Sequence, residues 1–482
     1  MELPGHVVTR LVEDFAGVDL GDARRNRRLQ AVAAKVARSP AASLPAALRD
    51  DAAVQGCYRL VNNRAVTFEK VLAPHIEATR RRAAQAGDVF AIHDTTECSF
   101  PDLPPEEIGY LQTGKAGFLL HLTLVLDARG WRRPLGVSYA ETLHRTTRSK
   151  HGGRSRKASG VETAKWADRE SLRWWRGMKA SADALSGCQR VIHIADREGD
   201  NYSLLSSLLA QKQRFVIRVR VDRRSREITD PDPKWSTIKA VASACEGCLE
   251  REVPLSRRRA KPTQGMTGAH PPRKARLARL SFSATRVAIP RPKYLQDPVP
   301  QQLELNLVRV TELNAPPDEP SVEWLLYTTE PIDTPHQVAH VVDVYRTRWT
   351  IEEFNSGLKT GCAYEAREFE SKHALLAMLA LSLPIACEVL ALRSHARSTP
   401  DAPAIEVLNT DQLQLLHVLH EGRLSSPPTT TAQVLAAVAK LGGHLQRNGP
   451  PGWKVLQRGM SLLLAAEAGW RAAREGPTAG TM

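Results

Sequence analysis

The chain opens with a helical period. In LGDARRNRRLQAVAAKVARSP, residues Leu29, Val32, Ala33 and Val36 recur at helical spacing, with Asp22 placed to cap the start and Pro40 to stop the end. A second helical stretch, Ala52 to Leu60, runs into the turn signal Asn62-Asn63. From about Val71 the pattern mixes strands with helices. Val89-Phe90-Ala91-Ile92 is a short apolar run ending in HDTTE, HLTLVLDARGW alternates before turning at Ala128 to Gly130, and VIHIA runs straight into DREGD. These predict buried strands whose ends carry acids. Between 221 and 330 the basic, proline-rich SRRRAKPTQ and PPRKARLARL precede the alternating LELNLVRVTEL, which predicts a β-rich insertion with an exposed basic loop. VEWLLYTTE predicts another strand, and Thr334 through Lys359 a long helical stretch. Beyond Glu370, HALLAMLALSLPIACEVLALRSHA, TAQVLAAVAKLGGHL and SLLLAAEAGWRAAR predict an all-helical segment whose apolar faces could pair subunits, before a closing PTAGTM expected to be disordered. The chain divides into a basic helical module (1–70), a mixed α/β region (71–370) and a helical region (371–482).

Composition agrees with several domains. At 482 residues the chain exceeds one ordinary core, since domains run to roughly 100 to 200 residues each. No uninterrupted apolar run of the roughly 18 residues needed for a bilayer span is seen, so no membrane crossing is expected. MELPGHVVTRLVEDF lacks the basic and apolar regions of a secretory signal, which predicts retention in the compartment of synthesis. Seven irregularly spaced cysteines suit a reducing cytoplasm, and the single C-x-x-C, Cys245 and Cys248, has no second ligand pair to make a zinc site. The formal net charge of +15 favours a polyanionic partner, because lysines and arginines facing a duplex release its condensed counterions.

Charge does not specify chemistry; the acids do. Transfer of a DNA phosphodiester at neutral pH calls for a pair of Mg²⁺ ions roughly 3.5 to 4 Å apart, held by about three carboxylates from separate elements. Asp94 after VFAIH and Asp196 after VIHIA are acids that a sheet can bring side by side, although either alone reads equally as a turn residue or an N-cap. The third acid lies in YRTRWTIEEFNSGLK. Tyr345, Arg348, Glu352 and Lys359 sit at offsets of three, seven and fourteen, which at about 100° per residue places them within roughly 60° on one helix face. Glu353 should then face away, and a salt-bridged surface face is the competing reading.

HDTT with Asp94, ADRE with Asp196, and the tyrosine-arginine-glutamate-lysine signature at 345, 348, 352 and 359 resemble the insertion-sequence-four family of bacterial DDE transposases. LGDARRNRRL and QGCYRLVNN resemble that family's N-terminal DNA-binding module, and KLGGHLQRNGPPGWKVLQRGMSLL its C-terminal helical region. The resemblance implies a ribonuclease-H-like catalytic core carrying the β-rich insertion, flanked by helical N-terminal DNA-binding and C-terminal dimerisation domains. It implies Asp94, Asp196 and Glu352 as ligands of two Mg²⁺ ions, with Mn²⁺ able to substitute, and Tyr345, Arg348 and Lys359 as phosphate contacts. Trp324 matches a tryptophan that packs against DNA around a flipped base, where stacking is worth about 1 to 3 kcal/mol per base; a core tryptophan is the alternative. Trp349 is expected to pack. Arg197 is expected at the DNA backbone or orienting an acid, and Arg24, Arg25, Arg27 and Arg28 at a groove of the transposon end, unless they form a solvated helix face. Asn355 and Ser356 stand where relatives often carry another basic residue, so no second lysine contact is assigned.

The implied activity is cut-and-paste transposition through a DNA hairpin, by a homodimer on transposon ends and target DNA in a bacterial, nucleoid-associated setting. The alternatives are an inactive DNA-binding descendant or inhibitor, a nuclease that cuts without joining, and a basic RNA-associated structural protein.

Overall fold

A computed structural model describes residues 11–130, 132–146, 170–232, 234–255, 272–295, 298–420, 424–445 and 451–475. Most of the basic stretch at 256–271 and the closing PTAGTM lie outside these residues. The N-terminal segment holds helices α1 (Ala23–Arg38) and α2 (Asp51–Val61). Asp22 caps α1 by accepting from the Arg24 amide at 2.8 Å, and Leu29, Val32, Ala33 and Val36 are its buried stripe. Asp50 caps α2 in the same way. Helix α3 (Phe68–Ala86) follows, so the change of period expected at residue 71 comes only after Ala86; its buried stripe includes Phe68, Val71, Leu72 and His75.

The strands form one eleven-stranded mixed sheet. It comprises β1 (Asp88–Ser99), β2 (Gly117–Asp127), β3 (Pro134–Leu143), β4 (Arg190–Ala195), β5 (Arg214–Arg218), β6 (Arg224–Glu227), β7 (Ser236–Thr237), β8 (Leu249–Leu255), β9 (Arg276–Pro290), β10 (Gln302–Glu312) and β11 (Glu323–Thr328). Their order is β3-β2-β1-β4-β5-β11-β10-β9-β6-β7, with β8 paired to β9. Strands β1, β4 and β5 are parallel, while β2 and β3 add antiparallel on one side. The β-rich stretch is continuous with this sheet, because β11 pairs antiparallel with β5.

Strand β2 does not alternate in burial as its sequence suggested: every residue from Gly117 to Leu126 is buried. Helices cover both of its faces, and a doubly covered strand is apolar on both sides. On one face Val89, Ala91 and Val125 cluster with Ala83 and Ala86 of α3. On the other, Ile92, Leu122, Leu124 and Ile194 join a core shared with α6 (Pro335–Arg346) and α7 (Trp349–Ser356). Strand β3, helix α5 (Tyr202–Ala210) and, between β3 and β4, helix α4 (Leu172–Ala184) were not legible in the sequence. That helix approaches β2 closely at Gly177, where an added Cβ would sit 2.8 Å from Nε2 of His121.

Helix α8 (Lys372–Ser398) is long and apolar enough to cross a membrane by length and composition, with mean hydropathy 2.3 over its apolar window, yet 89% of that window is buried inside the chain. It packs on α2, α3 and β3. After it come α9 (Thr410–Val418), α10 (Thr431–Leu441) and α11 (Trp453–Glu475), with Leu416, Val434, Val438 and Leu463 in a small core of their own.

The N-terminal segment is tied to the sheet by a buried charge cluster. Asp14 accepts from Arg82 at 2.8 and 3.1 Å and meets Nδ1 of His75 at 2.9 Å, and His75 and Arg82 also reach the backbone of β3 at Val137 and Leu135. Burial pushes the Asp14 carboxyl up, but the His75 and Arg82 hydrogen bonds outweigh it and hold the group below its ordinary range. Asp14→Asn, which leaves Arg82 without its anion, is expected to cost about 3 to 5 kcal/mol in urea unfolding at pH 7. Because the folded pKa is depressed, this stabilisation is present above the unfolded value of about 3.9 and is lost as pH falls through the folded one. The difference between wild type and variant should therefore narrow as pH falls below about 3.9.

Candidate active site

Asp94 is not at a strand end. Strand β1 continues to Ser99, paired with β2 along its length, while its parallel pairing with β4 stops at Ile92↔Ile194. The register from Asp88↔Arg190 to Ile92↔Ile194 keeps a constant offset (190 − 88 = 102). Asp94 and Asp196 share that offset (196 − 94 = 102), so they stand across from each other just beyond the last pair, on the face carrying Ile92 and Ile194. Ending the pairing there opens a gap between two strands, at the carboxyl end of the parallel pair. Asp196 also serves as the cap considered from sequence: its Oδ1 accepts from the Glu198 amide at 2.8 Å, closing a single 3₁₀ turn over Arg197–Gly199.

The third acid comes from above. A long helix was expected from Thr334 to Lys359, but the chain breaks it. Helix α6, opened by a Thr334–Gln337 capping box, ends at Arg346; α7 starts at Trp349, and Gly357–Gly361 forms a π turn. At the break the Thr347 hydroxyl donates to the Val344 carbonyl at 2.5 Å, and the Arg348 amide bonds Tyr345 three residues back. Tyr345, Arg348 and Glu352 still converge, since each is electrostatically coupled to an aspartate of the pair or to another of the three. Lys359 is carried elsewhere by the π turn: its Nζ donates to the Glu97 carbonyl, further along β1, and lies 3.6 Å from Glu365. Glu353 faces away as expected, pairing with Arg393 and Arg397 of α8.

Within the cluster, Nη2 of Arg348 donates to Oε1 of Glu352 at 2.6 Å, and Nδ2 of Asn355, one turn on, to Oδ2 of Asp94 at 3.2 Å. Oδ1 of Asn355 is buried without a partner. Sequence reasoning gave Asn355 no role, because an amide carries no charge to flag it. Burial, then the facing Asp196 carboxylate, push the Asp94 carboxyl up to about 7; Glu352 acts in the same direction and Arg348 against it. Among the described residues no group of three or more His, Cys, Asp or Glu side chains is placed so that it could hold a metal ion. The donors nonetheless suit a hard divalent cation. They are carboxylate oxygens facing one another with too little positive charge between them, and an unpartnered amide oxygen lies beside them.

Tyr345 is buried, with burial raising its hydroxyl pKa. Its ring meets the half-buried Trp324 edge-on at 5.5 Å, and the Arg218 guanidinium lies 5.9 Å from the Trp324 ring centre. Arg197 is exposed. Trp349 does not pack. It is 60% exposed, because the break restarts the helix and leaves this residue in its first turn, at the rim of a pocket of about 410 Å³ shared with Arg132, Arg346 and Arg397. In α1, Arg24 turns back onto Asp22, Arg25 donates to the Leu20 carbonyl, Arg28 lies across Gly56 of α2, and Arg27 is exposed.

The raised pKa of Asp94 has a thermodynamic sign. A folded value above the unfolded one favours the folded state below pH 4 and is a growing cost as pH rises through about 7. Metal-free Asp94→Asn is therefore expected to melt higher than wild type at pH 8 and to lose that advantage at pH 4, as checked by thermal denaturation in chelator.

The transposase DNA-binding family matches residues 11–66, the segment that holds α1 and α2 and their arginines. The match supports a transposase with DNA as its partner.

Proposed function

We propose that the chain is a DDE transposase that performs cut-and-paste transposition of an insertion sequence, of the insertion-sequence-four type. The observation that carries this reading is the opposition of Asp94 on β1 and Asp196 just past the end of β4, with Glu352 brought over them by α7. The strand order β3-β2-β1-β4-β5, with helices on both faces, supports a ribonuclease-H-like core into which the β-rich stretch is inserted.

Asp94, Asp196 and Glu352 would hold two Mg²⁺ ions, or Mn²⁺ in their place. Bound there, the ions supply an activated attacking oxygen and neutralise charge on the phosphate. Glu352 binds Arg348 through Oε1 alone; a cation drawing on the same carboxylate would weaken that pair and leave the guanidinium for a phosphate oxygen. Tyr345, hydrogen-bonded to Arg218, would meet phosphate beside Arg348, and Trp324 lines the same side, where a displaced base can stack. The exposed Arg197 would meet the DNA backbone, and Lys359 would do so only on leaving Glu97 and Glu365, while Arg27 and its neighbours hold the end. In sequence, water frees a 3′ hydroxyl at the transposon end, that hydroxyl attacks the opposite strand to give a hairpin, a second water opens it, and the 3′ ends attack target DNA. Joining two ends requires two active sites, so a homodimer forms on DNA, with the C-terminal helices as its interface.

The test is cleavage and joining of labelled fragments bearing the DNA ends that flank the gene, in Mg²⁺ or Mn²⁺. Wild type should cut and join; Glu352→Gln should bind the ends unchanged and do neither. Cutting without joining would mean a nuclease, and tight binding by wild type with no cutting an inactive descendant. Arg27→Ala is expected to weaken end binding and to reduce the slope of log affinity against log salt by about 0.9, the value for one phosphate that the protein no longer neutralises, as measured by fluorescence anisotropy across a salt series.

A further inference from the structure

We infer that Arg173 is a positioning residue that sets the spacing of Asp94 and Asp196, and so their affinity for a divalent cation; this rests on the metal-dependent reading above. Arg173 stands in the first turn of the helix Leu172–Ala184, on the face of the sheet opposite the carboxylates, and is 7% exposed. Its Nε donates to Oγ1 of Thr95 at 2.8 Å and its Nη2 to Oε2 of Glu198 at 2.6 Å. Those two acceptors are the residues whose backbone amides hold the aspartates. The Thr95 amide bonds the Asp94 carboxylate, and the Glu198 amide donates to Asp196.

One planar guanidinium thus grips, from beneath, the β1 side and the β4 side of the gap where strand pairing has ended. Backbone hydrogen bonds no longer fix the distance between the strands there, and two facing carboxylates push them apart. The guanidinium is rigid, so the separation of Nε and Nη2 fixes that of their acceptors. Nη1 is also taken, by the Glu170 carbonyl at 2.8 Å, and the opposite side of Thr95 is held by Nδ1 of His121 at 2.9 Å. A buried arginine with its donors committed in this way is a brace, not a contact for DNA.

The experiment is Mn²⁺ binding to the full-length protein without DNA, following free Mn²⁺ by electron paramagnetic resonance. The proteins are wild type, Arg173→Lys, Thr95→Val and a control on the same helix, Arg176→Ala, which removes the pair with Glu141 and the contact with Tyr139, neither of them a partner of Arg173. Arg173→Lys and Thr95→Val should each weaken Mn²⁺ binding about tenfold, in line with removing an outer partner of a metal ligand, while the control binds as wild type does. If wild type binds but the Arg173 and Thr95 variants bind equally well, or the control is weakened as much, the role of Arg173 is overturned and the active site stands. If wild type takes up no Mn²⁺, the metal-dependent reading fails and this inference falls with it.

Discussion

The site depends on one constraint, the point at which β1 and β4 stop pairing. Parallel pairing holds the two strands in fixed register up to Ile92 and Ile194. Beyond it the strands separate, and the next residues on that face are two aspartates. Had pairing continued, Asp94 and Asp196 would stand in a closed sheet with no room for a phosphate. Had it ended earlier, nothing would hold them opposite each other.

Such an arrangement is costly for the protein alone. Two carboxylates are half-buried and mutually repulsive, which is why Asp94 holds its proton up to about pH 7. The chain offsets part of this with local hydrogen bonds: the Thr95 and Glu198 amides, the Asn355 amide and the Arg348–Glu352 pair. None of these supplies a net positive charge between the aspartates, and a divalent cation would. Strain of this kind concentrates where function needs it and is balanced by packing elsewhere.

That packing is supplied by the remainder of the chain. Helix α8 carries the cations that hold Glu353, which orients α7 and Glu352. It also contacts α2 and α3, so the segment matched to a DNA-binding family and the helix bearing the third acid lean on one apolar spine. Arg367 strengthens the same connection by donating to the carbonyls of Pro40 and Ala42.

The sequence by itself determined the local features. The caps and apolar stripes of the N-terminal helices, the strand cores around Phe90 and Ile192, the outward turn of Glu353 and the candidate acids could all be read from spacing and residue type, because each depends on neighbours within a few positions. Tertiary structure decided the rest. The extension of β1 beyond Asp94, the burial of β2 on both faces, the break at Thr347 that exposes Trp349, and the departure of Lys359 toward Glu97 follow from what packs against each segment. In the sequence Asn355 stood out only as a neutral residue where relatives often carry a basic one, and Arg173 did not stand out at all. An amide and one arginine among many become meaningful only through partners 261 and 78 positions away, and such long-range contacts are fixed by the folded core and not by local pattern.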